Sequence, residues 1–211
     1  MRRAVKAVAD RLVAAVLLLL LSPLLLAITL WIWLDDGRPA VLAQERAGKD
    51  GVPFRMLKYR TMVRDALEVG RRLGLEDPWG LLPDDPRITR SGHFLRRTSL
   101  DELPQLWNVL RGQMSLVGPR PDVVEQVANY RPAERRRLDV LPGITGLAQV
   151  EGRDEIPWEE RFELDAYYVD HWSLRLDARI LVRTFTELGR PEPKPVEDRL
   201  NAERAKAAKG P

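Results

Sequence analysis

From Leu12 to Leu34 the chain passes without a single charged side chain, between Asp10-Arg11 and Asp35-Asp36. At about 1.5 Å per helical residue this run measures roughly 34 Å, enough to cross a bilayer core. It exceeds the ~7–15 apolar residues of a secretory signal, and no small-residue cleavage motif follows. Ser22-Pro23 stands near its midpoint. Pro23 has no N–H to offer the Leu19 carbonyl and its ring crowds that group, so a bend is expected there. Arg2, Arg3, Lys6 and Arg11 precede the run, while Arg38, Arg46, Lys49, Arg55 and Lys58 follow it. A simple span carries its basic bias on one side. From these residues alone, a straight span and a re-entrant hairpin that returns to the face it left stand equally open.

The remainder is polar: mean hydropathy over the whole chain is −0.29 despite the apolar run. There are 34 Lys and Arg against 31 Asp and Glu, two His and no Cys. Lack of Cys removes disulfides, thiol nucleophiles and thiolate-bound zinc, and His93 and His171 are the only imidazoles. Chemistry here must rest on carboxylates, hydroxyls, Arg and Lys. A net charge of +3 with no polybasic tail gives no reason to expect nucleic acid.

Short alternating segments between Ala40 and Met62, separated by Gly48-Lys49-Asp50-Gly51, predict a hairpin or loop. Helices are expected over Val63–Gly74, Leu103–Leu110, Asp122–Arg137 with a break at Arg131-Pro132, Trp158–Val169 and Leu174–Leu188, the last capped by Ser173. Leu82 to Pro86 is turn chemistry. Ser115 to Pro121 is expected as a loop, and Leu141 to Val150 as a loop entering an extended piece. Arg175, Arg179 and Arg183 recur every four residues, as a solvated stripe or a membrane-surface contact. Trp107 and Trp172 fit core or interfacial positions, and His93 a structural one.

Arg96-Arg97-Thr98-Ser99-Leu100-Asp101-Glu102-Leu103-Pro104 places adjacent carboxylates behind an Arg pair. Ser99 and Glu102 have capping-box spacing and Pro104 suits a first helical turn, so spacing alone favours a helix cap. The same residues could also hold phosphate and keep a nucleophilic Asp ionised, with the adjacent Glu on a divalent cation. Arg87, Arg90 and Arg111 could complete an anion pocket or simply lie at the surface. Lys58 and Arg60 flank Tyr59, so on a strand they share one face, as phosphate ligands or as an exposed basic edge.

Six segments in order resemble a known family: Ser22-Pro23, Lys58–Met62, Asp84–Arg87, Ser99–Leu110, Ser115–Pro121 and Pro142–Arg153. From about Arg11 to Phe185 the chain is similar to the small monotopic phosphoglycosyl transferases, bacterial sugar transferases that initiate glycan assembly. The resemblance implies transfer of a phospho-sugar from a UDP-sugar to undecaprenyl phosphate, with Mg2+ and release of UMP. It further implies Asp101 as nucleophile, Glu102 at the magnesium, Arg96 and Arg120 at the phosphates, and a re-entrant helix broken at Ser22-Pro23. Gln44–Gly48 departs from many relatives by having Ala47 in place of Pro, and no further membrane helix precedes Leu12, as in the minimal catalytic form.

The expectation is therefore a mainly helical α+β fold. Residues 1–36 form the re-entrant element, 37–189 the catalytic domain on the cytoplasmic face of the bacterial inner membrane, and 190–211 a disordered tail. Site residues are Asp101 and Glu102, with Arg96, Arg120, Lys58, Arg60 and Arg87 on substrate phosphates and membrane lipids around the anchor. The rivals are a lipid-binding scaffold and a glycosyl transferase that releases UDP.

Overall fold

The computed structural model describes residues 2–74, 85–151 and 156–187. Asp84, Gly152-Arg153 and the expected tail at 190–211 lie outside the described residues. Two helices open the chain, α1 (Arg2–Leu20) and α2 (Ser22–Asp36), set at 63° to each other across Leu21. The bend has the expected cause and a local remedy. The Leu19 carbonyl that Pro23 leaves without a donor accepts the Ser22 hydroxyl at 2.8 Å. No single helix among the described residues is long and apolar enough to cross a membrane; the bent pair meets that test together.

One side of this pair belongs to the core. Ala14 and Leu18 pack with Phe54, Met56, Leu106, Val109 and Met114, while Ile28 and Ile32 pack with Ala40, Tyr59 and Leu95. The other side leaves Leu12, Val16, Leu19, Leu20, Leu26, Leu30 and Leu34 more than half exposed. Seven large apolar side chains this exposed on two consecutive helices make an unusual surface to turn towards water.

The hairpin forms as expected: β1 (Val41–Ala47) pairs antiparallel with β2 (Pro53–Tyr59), Leu42 opposite Lys58 and Arg46 opposite Phe54. Helix α3 covers Ala66–Arg72, inside the expected span. Helix α4 (Arg90–Thr98), which the sequence pattern did not single out, is capped by Thr89 and further by Asp35, whose carboxylate accepts from the Ser91 N–H and hydroxyl at 2.8 and 2.7 Å. Asp101 and Glu102 lie in a 3-10 turn, Leu100–Glu102, so helix α5 begins only at Gln105 and ends at Leu110.

Two expectations change. Ser115–Val117, expected as loop, is strand β3, paired in parallel with β4 (Gly143–Thr145), and Leu141–Val150, expected as a loop entering an extended piece, has its extended part at β4 and then turns into helix α7 (Leu147–Glu151). The strands meet so closely that a Cβ on Gly143 would stand 2.1 Å from the Gly118 nitrogen. Three-residue strands carry no alternation that a pattern can register, and their pairing depends on contacts about 28 residues apart in sequence. Between them run α6 (Val124–Ala128) and a 3-10 turn at Glu134–Asp139, with the expected break at Arg131-Pro132. Helices α8 (Trp158–His171) and α9 (Leu174–Glu187) close a third cluster of Val117, Leu147, Val150, Tyr168 and Ile180. Ser173 caps α9 through the Leu176 N–H at 3.2 Å.

Candidate active site

Asp101 and Glu102 are presented by a strained turn rather than by a helix cap. Ser99 adopts φ 55°, in the left-handed region that non-glycine residues rarely enter, and terminates α4 through its N–H to the Arg96 carbonyl at 3.1 Å. Its hydroxyl caps nothing, so the capping box that the spacing favoured does not form. The Glu102 carboxylate is thereby left for other partners.

Those partners come from two other elements. Lys58, at the end of β2, places Nζ 2.9 Å from Glu102 Oε1 and 3.6 Å from Asp101 Oδ2. Arg120, in the loop after β3, donates to the same Glu102 oxygen at 3.0 Å. The dyad is held against β2 by Asn108, fully buried on α5, whose amide accepts from the Leu57 N–H at 2.9 Å and donates to the Arg55 carbonyl at 2.8 Å. This side chain mimics a neighbouring strand along the outer edge of β2. Arg120 is positioned from behind by the buried Arg137, which donates to the Arg120 carbonyl at 2.8 Å and pairs with Asp122 and Asp165. Neither Asn108 nor Arg137 was selected from the sequence. A lone Asn in the apolar run Leu106–Leu110 was the available signal.

Arg96 acts on Asp101 through its charge and is fixed by a 2.8 Å bond from Nε to the Thr61 hydroxyl. Gly92 makes that bond possible, because α4 crosses the Thr61 backbone where a Cβ would come within 2.0 Å of its carbonyl oxygen. The two acids are driven apart electrostatically. Burial pushes the Asp101 carboxyl above its ordinary value, and Glu102 pushes it further, against Lys58, Arg120 and Arg96. Burial acts on Glu102 in the same sense, but Arg120 and Lys58 outweigh it and hold that carboxyl at about 2. The result is a permanently ionised Glu102 beside a more basic, 8% exposed Asp101.

The other named cations lie elsewhere. Arg60 does not share the Lys58 environment, because β2 ends at Tyr59 and the chain turns. Its buried guanidinium ties down the end of α2 through the Asp36 and Gly37 carbonyls at 2.8 and 2.6 Å and the Asp36 carboxylate at 3.0 Å. Arg87 is fully buried and forked onto Asp85, 2.6 Å at its shortest. Both guanidiniums are thus bound into the fold rather than presented beside the dyad. Arg90, Arg111 and His93 are exposed. Trp172 donates to Asp177 at 3.0 Å, while Trp107 is 47% exposed.

A family model described as bacterial sugar transferase matches residues 1–190, which takes in the bent helices, the hairpin and the dyad. The chain belongs to that family. Among its relatives is an uncharacterized sugar transferase, EpsL, of Bacillus subtilis, 44% identical over 174 residues, 82% of each chain. An undecaprenyl-phosphate galactose phosphotransferase of Salmonella typhimurium is 42% identical over 191 residues, and a UDP-glucose:undecaprenyl-phosphate glucose-1-phosphate transferase of Escherichia coli is 41% identical over 191 residues. Each of these two alignments covers 86% of this chain, but only 40% and 39% of the relative. In this bacterial sugar transferase, then, the part shared with much longer relatives already contains the whole constellation around Asp101.

Magnesium would find a suitable donor here. Lys58 and Arg120 both make their closest approach to Glu102 at Oε1, and the carboxylate is ionised, as a metal ligand must be. Mg2+ in phosphate sites takes one or two carboxylate oxygens and completes its shell with phosphate and water, and Glu102 is the residue that would supply such an oxygen here.

Proposed function

We propose that this chain moves a sugar 1-phosphate from a UDP-sugar to undecaprenyl phosphate at the cytoplasmic face of the bacterial inner membrane, releasing UMP and initiating glycan assembly. The observation that carries this reading is the split of the dyad: a buried, basic Asp101 set among Lys58, Arg96 and Arg120, beside a Glu102 held ionised at about 2. The names of the Salmonella and E. coli relatives agree with it.

In the first half-reaction an Asp101 carboxylate oxygen attacks the phosphorus that bears the sugar. One oxygen–phosphorus bond forms, the bond to the bridging oxygen of the diphosphate breaks, and UMP leaves with that electron pair. Undecaprenyl phosphate then attacks the same phosphorus through a phosphate oxygen and returns Asp101 as carboxylate, giving the undecaprenyl diphosphate sugar. The sugar–phosphate bond is untouched throughout. Arg96 and Arg120 offset the charge gathering on the phosphoryl oxygens, and Lys58 keeps Asp101 from capturing a proton. Glu102 would hold Mg2+, which when bound supplies positive charge to the diphosphate.

The exposed apolar side of α1 and α2 supports a seat in the cytoplasmic leaflet as a re-entrant hairpin, among membrane lipids and beside the acceptor's own polyprenyl tail. Nothing in the site calls for nucleic acid.

Nucleotide release from a panel of UDP-sugars, with detergent-purified protein, Mg2+ and undecaprenyl phosphate, tests the reading. UMP is expected from the wild type, with a loss of about 10³-fold or more in Asp101→Asn. UDP release would assign simple glycosyl transfer instead, and wild-type turnover by Asp101→Asn would remove the covalent step.

A further inference from the structure

Arg46 has no place in the constellation above, yet its surroundings demand an anion. In the β1–β2 register it stands opposite Phe54, with its side chain on the same face of the hairpin as that of Lys58, whose partner is Leu42. The Ala47 N–H bonds the Asp122 carbonyl at 2.9 Å, which draws the end of β1 against the loop that carries Arg120. Arg46 is half-buried, and its guanidinium feels the charges of Arg120, Asp122, Glu102 and Glu125. No carboxylate among the described residues comes within salt-bridge distance of it: Glu102 bonds Arg120 and Lys58, and Asp122 bonds Arg137 and Tyr130. Among the described residues the Arg46 guanidinium makes a single hydrogen bond, 3.3 Å to Gln44, and its Nε is buried without a partner. Burial, and after it the Arg120 charge, weaken the hold of Arg46 on its own proton. A half-buried arginine that feels the charge of another and carries an unsatisfied donor is in an unfavourable arrangement unless a ligand completes it.

The charges indicate which ligand. Lys58, Arg96 and Arg120 act on Asp101, and Arg46 interacts with Glu102, an array of cations suited to a diphosphate. A nucleoside diphosphate sugar brings two negative charges on its diphosphate. The elements divide the cations further. Arg96 comes from α4 and Lys58 from the end of β2, whereas Arg46 lies at the far end of the hairpin, where the Ala47–Asp122 bond ties β1 to the loop of Arg120, and it interacts with Glu102 and Arg120. In-line displacement puts the leaving oxygen opposite the attacking one. We propose that Arg46 binds the phosphate that departs with the nucleotide, forking with Arg120 across it. The inference rests on the reaction proposed above and assigns a leaving-group residue within it.

UMP itself is the probe, since it is common to every UDP-sugar. Titration calorimetry on the full chain in nanodiscs with Mg2+ should show UMP affinity falling about 10²-fold in Arg46→Gln and less in Arg46→Lys. With a UDP-sugar that supports turnover, kcat/KM for the donor should fall in parallel. Under ping-pong kinetics kcat/KM for undecaprenyl phosphate reports only the second half-reaction, and it should stay within about twofold. Wild-type UMP affinity in Arg46→Gln would overturn the assignment while leaving the reaction intact. Equal losses in the donor and acceptor terms would make Arg46 a structural residue, which also overturns it. If wild type binds no UMP and releases UDP, the reaction itself fails and the assignment with it.

Discussion

At Asp101 and Glu102 two neighbouring carboxylates acquire opposite characters because only one of them bonds both flanking cations. Glu102 Oε1 lies about 3 Å from Lys58 and from Arg120, whereas Asp101 has Lys58 alone at 3.6 Å and is otherwise buried. In the proposed reaction the working form of Asp101 is the carboxylate, so turnover should be lost as pH falls through its pKa. That acid limb should lie above the ordinary aspartate value of 3.8, and Glu102, near 2, should not contribute to it. Lys58→Met removes the largest influence that lowers the Asp101 pKa. Its kcat/KM should fall by about 10²–10³-fold, and its acid limb should move to higher pH. A pH–rate profile of both proteins checks this, and a limb that stays in place would mean that another group titrates. The dyad and its flanking arginines were legible as a constellation, but the partition between them was not. Ser99 and Glu102 have the spacing of a cap, and only the left-handed turn at Ser99 frees Glu102 from that role.

Among the elements, the broken helix was the most legible, since a missing N–H acts locally whatever surrounds it. Its consequence for topology can be tested because the chain contains no Cys. A single cysteine at Val5 or at Val41 should be shielded from an impermeant thiol reagent in intact spheroplasts, as both ends of a re-entrant hairpin share the cytoplasmic side. Replacing Ser22 and Pro23 together by Leu restores an unbroken apolar helix of roughly 34 Å. Labelling at Val5 is then expected to appear, with Val41 still shielded. Labelling of Val5 in the unmodified background would show a span instead. The hairpin was equally legible from its alternation, but Arg60 was not. Continuing the strand by one residue would have put it beside Lys58, and the tertiary pull of Asp36 and Gly37 takes it to α2 instead.

Across the whole molecule, the apolar N-terminal pair is built into the domain rather than appended to it. Lys6 on α1 bonds Asp177 on α9 at 2.8 Å and Asp10 at 3.2 Å, and Asp10 accepts from Ser115 on β3 at 2.5 Å. Asp177 is buried and also accepts from Tyr168 and Trp172 at 2.8 and 3.0 Å. Asp177→Ala leaves the Trp172 N–H without its acceptor and takes one of two partners from Lys6 and from Tyr168, which keep Asp10 and the Val117 carbonyl, and should cost about 1–3 kcal/mol. Thermal unfolding in detergent reads that loss as a lowered Tm, whereas donor KM at temperatures below the transition should hold. A Tm equal to wild type would show that α1 does not depend on α9. The sequence by itself determined the features whose causes are local: an apolar run broken at Pro23, a hairpin at Gly48–Gly51, helices where apolar residues recur, and motifs that resemble a sugar transferase. Tertiary structure alone decided which cations meet the dyad, why Arg87 is buried on Asp85, and how two three-residue strands pair across Gly118 and Gly143. The physical reason is range. Pattern and propensity act over one or two turns of chain, while the field at Asp101 is the sum of charges from β2, α4 and the loop after β3, which only the closed fold brings together.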